Sequence, residues 1–413
     1  MMSEFFASSF DNPVALEVAP LRIVPLDRAL PLPEATSRVT DASVTRPFVN
    51  EQLNSRLEVA LPAGSWTVRW RAELEDSVQP LHVLHAGARI IVQGRMAWQL
   101  FDADGKALAS SRLNASEVYL DPAHSLFYLA NTSGYLAARR LTDGVPAFFM
   151  TRPLNERYRL RFLARRDRRM TVVASEAPKG PHSVSKPDLS LIEVHDLGAP
   201  LRVDERGILA SAKRVSDLMR RTVALFTAMQ GDTLVIAAVD WIFMTDPELR
   251  IRTALRGEFE PLAMSLDEAN RLYLIVREGE RQALWVLTPE GRRSISYVLA
   301  PHVQVGSVPP IVGRDHAIHI LARDRLITLS PEGKWLWEYV TAATPAGAAV
   351  TSNYELLLAS GSQVSAFDRE GGRRVLYSFA GESVRTPPVL TSDRTLLIAT
   401  QRHLYCLELA PAK

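Results

Sequence analysis

The chain has 413 residues, a formal net charge of only +2 at pH 7, and 47% hydrophobic residues. This composition excludes gross disorder, and so small a net charge excludes bulk electrostatic attraction to nucleic acid. The single cysteine, Cys406, excludes an intrachain disulfide, and its apolar surroundings from Leu404 to Leu407 predict a buried small side chain.

Residues 1–65 contain many prolines and show no sustained hydrophobic periodicity. They predict an extended N-terminal arm, packed on the rest of the molecule or on a partner, with one candidate strand at Leu57 to Leu61. The opening residues lack the basic start and the long apolar run of a secretory signal, and no apolar run reaches membrane-spanning length. We therefore expect a cytoplasmic protein without a membrane span.

A short apolar phrase recurs eight times in the remaining sequence, 66–413. The phrases end at Gly94, Ala130, Ala174, Ala237, Val276, Ala322, Ala359 and Ala399. Successive phrases lie 36 to 46 residues apart, apart from one step of 63 residues. Such short runs of β-branched and aliphatic residues predict strands, and a period of about forty residues is typical of propeller blades.

The repeat at residues 307–340 shows how one blade is built. Strand signals end at Val312, Ala322 and Leu329, and a fourth runs from Lys334 to Tyr339. The turn before the fourth strand reads Ser-Pro-Glu-Gly, in which proline presets φ and glycine accepts a positive φ. The sequence therefore predicts four-stranded antiparallel blades, with a type I turn leading into a bulge here and seven turns of this kind in all before fourth strands, of which the one at Thr245 to Glu248 is degenerate.

The two ends of the repeat region complement each other. Strand His403 to Leu409 has no fourth strand after it, whereas Trp66 to Arg71 has the character of a fourth strand and precedes the first repeat. Pairing these two segments would complete an eighth blade and remove two exposed sheet edges. The predicted fold is all-β, an eight-bladed propeller of four-stranded blades with an N-to-C ("velcro") closure.

The seven tryptophans fall mostly in predicted third and fourth strands. We expect them to pack between neighbouring blades. The alternative is an aromatic ring face that holds a planar cofactor, and the sequence does not separate the two.

An arginine cluster is the densest charged feature of the chain. It surrounds the predicted strand Tyr158 to Leu163 and contains Arg157 and the candidate partner-binding residues Arg159, Arg161, Arg165, Arg166, Arg168 and Arg169. Guanidinium groups pair with carboxylates or phosphates, so the cluster fits an acidic protein surface, or else it is a solvated edge. Few aromatic residues accompany it, which disfavours nucleic acid as the partner.

Motifs for catalysis or metal binding do not stand out in the sequence. His82 and His85 lie three apart in a predicted strand, which places them on opposite faces, and the pair His316 and His319 has the same spacing. Carboxylate pairs such as Asp102 and Asp104 fall in predicted turns, where they cap their own backbone. We expect no catalytic, cofactor-binding or metal-binding residues.

Three stretches carry a resemblance to a known family. Leu326 to Trp337, Trp98 to Lys106 and Val364 to Gly372 each combine an apolar strand with a turn ending in Gly. They resemble the repeat of the PQQ-like β-propeller superfamily, over about residues 66–409. Catalytic members of that superfamily combine eight blades with a vicinal disulfide, an axial calcium site and a secretory signal.

The resemblance implies a function by comparison with these groups. One cysteine cannot form the vicinal disulfide, so the chain is more similar to cytoplasmic members that mediate protein contacts, including propellers in bacterial systems with a MoxR-type AAA+ ATPase and a von Willebrand A-domain protein. The first hypothesis is therefore a non-enzymatic scaffold with protein partners and no cofactor. The alternative is a quinoprotein-like or small-ligand-binding propeller with a site at the ring axis.

Overall fold

A computed structural model describes most of the chain. The described residues are 22–24, 55–75, 78–95, 97–112, 117–130, 135–151, 158–166, 169–176, 190–195, 202–203, 226–230, 232–246, 250–306 and 308–410.

The described residues form eight antiparallel sheets, numbered here as blades 1–8 in chain order, and one short 3₁₀ helix at Pro122–His124. Blade 1 contains β3 (Pro80–Ala86), β4 (Arg89–Gly94), β5 (Trp98–Asp102) and β6 (Ala107–Ser111); blade 2 contains β7 (Glu117–Asp121), β8 (Leu126–Ala130), β9 (Tyr135–Arg140) and β10 (Pro146–Thr151); blade 3 contains β11 (Tyr158–Arg166), β12 (Arg169–Glu176), β13 (Ser190–His195) and β14 (Arg202–Val203); blade 4 contains β15 (Phe226–Gln230), β16 (Thr233–Ala238), β17 (Trp241–Thr245) and β18 (Ile251–Arg256).

The second half of the chain repeats this plan. Blade 5 contains β19 (Glu260–Leu266), β20 (Leu272–Glu278), β21 (Arg281–Leu287) and β22 (Arg293–Val298); blade 6 contains β23 (Ile311–Val312), β24 (Ile318–Leu321), β25 (Arg325–Leu329) and β26 (Trp335–Val340); blade 7 contains β27 (Pro345–Val350), β28 (Leu356–Ser360), β29 (Gln363–Phe367) and β30 (Arg373–Ser378); blade 8 contains β31 (Val389–Leu390), β32 (Leu396–Ala399), β33 (His403–Leu409) and β2 (Trp66–Glu73).

The pattern of burial follows the position of a strand within its blade. All eight apolar phrases fall on the second strand of a blade, and in β28 Leu356 to Ala359 are buried throughout. A strand covered by a neighbouring blade on each face loses the alternation of a half-exposed strand. The fourth strands keep that alternation, as in β18 and β22, because they lie at the outer edge of the ring.

The turns before the fourth strands have the predicted geometry. At Gly333 φ is +79°, and the Gly333 N–H donates to the Ser330 carbonyl at 2.9 Å. The strand register shifts between Thr328 and Leu329, which is the bulge that such a turn produces. The prediction of a type I turn followed by a bulge is confirmed here.

Each described turn glycine of this kind lies under a side chain of the preceding blade. A Cβ added to Gly105 would lie 2.5 Å from Trp70 Cε3, and one added to Gly371 would lie 3.0 Å from Trp337. The indole N–H of Trp70 also donates to the Ala103 carbonyl at 2.9 Å. These two tryptophans therefore pack between blades, as the sequence predicts.

The predicted pairing between the two ends of the repeat region is present. Strand β2 pairs antiparallel with β33, from Trp66 opposite Leu409 to Glu73 opposite His403, with a bulge between Val68 and Trp70. Strand β3 of blade 1 contacts β31 and β32 of blade 8, so the last blade meets the first. The fold is a β-propeller in which β2, from before the first repeat, is the fourth strand of blade 8.

Two features differ from the prediction. Blade 2 has five strands rather than four, because β1 (Arg22–Val24) pairs antiparallel with the outer strand β10. The candidate strand at Leu57 to Leu61 is not formed; the structure has one isolated parallel bridge between Arg56 and Val350. The division of the chain into an arm at 1–65 and a propeller at 66–413 stays a prediction.

Candidate interaction surfaces

The arginine cluster lies on the first two strands of blade 3. Arg159, Arg161, Arg165 and Arg166 belong to β11, and Arg169 begins β12 opposite Arg166. Arg157 and Arg168 lie outside the described residues. In its sheet β11 has the first position, and it contacts the first strands of blades 2 and 4. The structure therefore places these residues on the first two strands of the blade, and both a binding role and a solvated edge stay predictions.

The outer edge of blades 5–7 carries most of the exposed large apolar side chains of the described residues. Five of the seven such residues lie on the fourth strands of these consecutive blades: Val298, Trp335, Leu336, Val340 and Val375. Three of the five are on β26 alone, at 55% exposure for Trp335, 45% for Leu336 and 58% for Val340. Sequence reasoning missed this surface, since it assigned the tryptophans to contacts between blades.

Residues 55–61 lie against the turns of blades 5, 6 and 7. The Leu57 N–H donates to the Val350 carbonyl at 2.7 Å, and the Val350 N–H donates to the Ser55 carbonyl at 3.0 Å. The segment therefore lies beside the last residue of the first strand of blade 7. One of its side chains reaches a second blade, because Arg56 forms an ion pair with Glu268 of blade 5. Leu57 is buried.

The same segment also contacts blades 6 and 7 by polar groups. Glu58 forms an ion pair with Arg314, and the Leu61 N–H donates to Asn353 Oδ1 at 2.9 Å. Both partners lie in turns between first and second strands.

The carboxylate pair in the first predicted turn has the expected structural role. Asp102 Oδ1 accepts hydrogen bonds from the backbone N–H groups of Asp104 and Lys106 at 3.0 and 2.8 Å.

Cys406 is buried, and this burial raises the pKa of its thiol to about 11. A thiol so strongly disposed to stay protonated is a poor nucleophile at neutral pH.

The side chains present do not supply the donor set for a quinone with calcium. Within the described ranges no group of three or more His, Cys, Asp or Glu side chains is arranged to hold a metal ion. The single cysteine cannot supply a vicinal disulfide. The described residues therefore do not fit the arrangement that the resemblance associates with catalytic quinoproteins.

Comparisons with known proteins identify the fold. No protein-family model matches the chain, and no curated protein matches its sequence. Solved structures with a similar fold include a europium-containing methanol dehydrogenase (TM-score 0.62, 10% identity, covering 90% of this chain and 98% of that one), Sqt1 from Saccharomyces cerevisiae (0.59, 10%, 85% and 100%) and BamB from Moraxella catarrhalis (0.53, 12%, 84% and 99%). These likenesses show a β-propeller fold. Among the described residues, no helix has the length and apolar character needed to span a bilayer.

One prediction needs correction. From the resemblance we expected a protein that is not an enzyme. This prediction is wrong, because the comparable structures include a methanol dehydrogenase that matches over 90% of the chain. The fold is shared by enzymes, and it gives no ground for excluding catalysis.

Proposed function

We propose that this chain is an interaction propeller that binds a protein partner through its outer edge at blade 6. The observation that carries the proposal is strand β26, where Trp335, Leu336 and Val340 are each about half exposed. Large apolar side chains grouped on a surface mark sites of protein association. Removing each from water contributes up to about 1.5–3 kcal/mol to binding.

The chemistry of β26 distinguishes it from the neighbouring outer strands. Edge strands usually carry charges that oppose pairing with other chains, and β30 begins with Arg373 and Arg374. In β26 the one charged residue is Glu338, whose carboxylate lies 3.6 Å from Arg325 Nη1 within the same blade. Among the described residues no strand pairs with the outer edge of β26, so this edge is apolar and available to an added strand or helix.

We also propose that the arginine cluster of blade 3 contributes an electrostatic contact with an acidic protein surface. Arg159 and Arg161 lie two residues apart on β11, and the strand pairing sets Arg166 opposite Arg169. Clustered positive charge raises the association rate with an acidic partner and makes it sensitive to salt.

The resemblance supplies the first partner class to test. Because similar cytoplasmic propellers occur with a MoxR-type AAA+ ATPase, we propose such an ATPase, with its A-domain protein, as the partner, and the cytoplasm as the compartment. Cell fractionation checks the compartment.

A binding measurement with edge variants tests the proposal. The purified chain is immobilised, and the ATPase encoded in the same genome is titrated by biolayer interferometry. We expect Trp335→Glu with Leu336→Glu to weaken binding at least about tenfold, with an unchanged melting temperature, because exposed substitutions barely affect folding. Leu81→Glu, on blade 1 at 36% exposure, is the matched control and should bind normally. Undiminished binding by the double variant would refute the assignment of β26.

The arginine cluster has its own test in the same assay. We expect Arg165→Glu with Arg166→Glu and Arg168→Glu to abolish capture, and wild-type binding to weaken steeply above roughly 0.1 M salt. The control is Arg250→Glu, since Arg250 is 77% exposed on blade 4. Capture that withstands both the triple reversal and high salt would remove the cluster from the interface.

A further inference from the structure

The residue that follows the outer strand has the same backbone role in five of the gaps between blades. Its N–H donates to a carbonyl at the turn between the second and third strands of its own blade. These bonds run from Leu74 to Arg402 (2.7 Å), Gly257 to Asp240 (3.1 Å), Leu299 to Gln282 (2.9 Å), Thr341 to Asp324 (2.8 Å) and Phe379 to Ser362 (2.8 Å). The five positions are therefore structurally equivalent.

An apolar side chain fills four of these gaps. Leu74, Leu299 and Phe379 are each at most 5% exposed, and Phe259 supplies the filling side chain two residues after Gly257. The gap between blades 6 and 7 is different, because it has Thr341 at this position. Thr341 is 7% exposed, and its hydroxyl has no hydrogen-bond partner among the described residues.

A cavity of about 310 Å³ opens beside Thr341. The small residues Ala342 and Ala343, which follow Thr341, leave this space unfilled. The volume lies at the lower end of the range for small-molecule sites, and at about 30 Å³ per water it has room for roughly ten non-hydrogen atoms.

The wall of the cavity is polar and positively charged. Arg373 is its one charged residue, and the polar side chains of Ser360, Ser362, Gln363 and Ser365 line it as well. No carboxylate contributes to the described wall. A cation without a neighbouring acid favours an anionic ligand.

Arg373 is held in place by its neighbours. Its Nε donates to Ser365 Oγ at 3.1 Å, and its Nη2 donates to Gln363 Oε1 at 2.7 Å. Its Cζ lies 5.0 Å from the ring centroid of Tyr339. Nη1 forms no hydrogen bond within the part of the chain that the structure describes, so a fixed guanidinium keeps one donor group available. Preorganised donors of this kind lose little entropy on binding.

We propose that the cavity between blades 6 and 7 binds a small organic anion that carries hydroxyl groups, of the hydroxycarboxylate class. The carboxylate pairs with the Arg373 guanidinium, and a ligand hydroxyl bonds to the hydroxyl of Thr341. A buried hydroxyl without a partner is destabilising, and the other four gaps avoid this loss because apolar side chains fill them. A ligand that forms a hydrogen bond with the Thr341 hydroxyl removes this loss.

Three small molecules of matched size test the chemistry on the full-length protein. Glycerate carries a carboxylate and hydroxyls, glycerol carries hydroxyls alone, and propionate carries a carboxylate alone. We expect titration by ligand-observed NMR to show glycerate binding at least about tenfold more tightly than either of the others. Absence of glycerate binding, or equal binding of glycerate and propionate, would overturn the proposal.

Variants locate the binding. Thr341→Val and Arg373→Gln should each weaken glycerate binding about tenfold. The control is Arg374→Gln, since Arg374 bonds to Glu355 at 2.8 Å and does not line the cavity. Thr341→Leu copies Leu299, and should abolish glycerate binding while raising the melting temperature. A Thr341→Leu protein that binds glycerate like the wild type would refute the site.

Discussion

Turn glycines connect local backbone geometry to contacts between blades. Gly333 has φ of +79°, and a Cβ at this position would lie 2.4 Å from Cγ2 of Ile295 on the preceding blade. The same glycine therefore satisfies two demands, a left-handed backbone and a close approach of blade 5 to blade 6. The local sequence predicts the first demand, whereas the second depends on a residue 38 positions earlier.

Alanine substitutions separate these two demands. Gly333→Ala meets both penalties, so we expect it to lower the free energy of unfolding by about 2–4 kcal/mol. Gly279 has φ of +61°, and a Cβ there would meet no atom within 4 Å, so Gly279→Ala should lower it by only about 1 kcal/mol. Urea unfolding of the two variants measures the difference, and equal losses would show that the contact with Ile295 contributes nothing.

The burial of His319 in blade 6 makes the stability of the protein depend on pH. It is 6% exposed, its Nδ1 lies 2.9 Å from Thr328 Oγ1, and burial lowers its pKa from 6.5 to about 4. Other groups near it include Asp315, which acts in the opposite direction, and the Trp337 ring at 6.4 Å. The folded protein therefore binds fewer protons than the unfolded chain between these two pKa values.

The consequence is a loss of stability on acidification. Because the folded pKa lies below the unfolded one, the contribution of His319 is complete above pH 6.5 and declines as the pH falls towards 4. We expect His319→Gln to reduce the decline in unfolding free energy between about pH 7 and about pH 5 by about 2 kcal/mol. Substitution of the exposed His302 is the control. An unchanged pH profile in His319→Gln would contradict this account.

Two tryptophans on one strand show how the elements are joined. The Trp337 indole N–H donates to the Arg369 carbonyl of blade 7 at 2.9 Å, and its ring stacks on Phe367 at 5.7 Å. Trp335, two residues earlier, is 55% exposed. Contacts between blades therefore depend on individual positions of the outer strand.

Paired substitutions measure this difference. We expect Trp337→Phe to lower the unfolding free energy by about 1 kcal/mol, since it removes a hydrogen bond between blades. Trp335→Phe, on the same strand, should change it by less than about 0.5 kcal/mol. Thermal or urea unfolding provides the comparison, and equal effects would mean that Trp337 does not join blades 6 and 7.

The sequence predicts the strands well because their signals are local. The buried second strands appear as apolar phrases, and two of the turns before fourth strands carry Pro-Glu-Gly. The sequence does not predict β1, since Arg22–Val24 is too short for a periodic signal. It also does not predict the exposure of Trp335, since Trp335 and Trp337 lie two residues apart on one strand and alternation assigns them to the same face. The cavity at Thr341 is also beyond sequence reasoning, because it depends on what fills the equivalent gaps.

Strand β2 and residues 55–61 each join parts of the ring that lie far from them in the sequence. Strand β2 covers the edge of β33, and residues 55–61 bridge the turns of blades 5, 6 and 7. Leu57 and Leu61, at 2% and 3% exposure, make this segment part of the apolar core. The ring therefore depends on two distinct stretches that precede its first repeat.

A series of deletions distinguishes these two contributions. Deleting residues 1–54 keeps both stretches, deleting 1–65 removes the bridging segment, and deleting 1–75 also removes β2. We expect the melting temperature to fall at the second step, because Leu57 and Leu61 lose their burial. At the third step the unpaired edge of β33 should cause aggregation, visible by light scattering. If the proteins lacking 1–65 and 1–75 are equally soluble and melt alike, β2 does not close the ring.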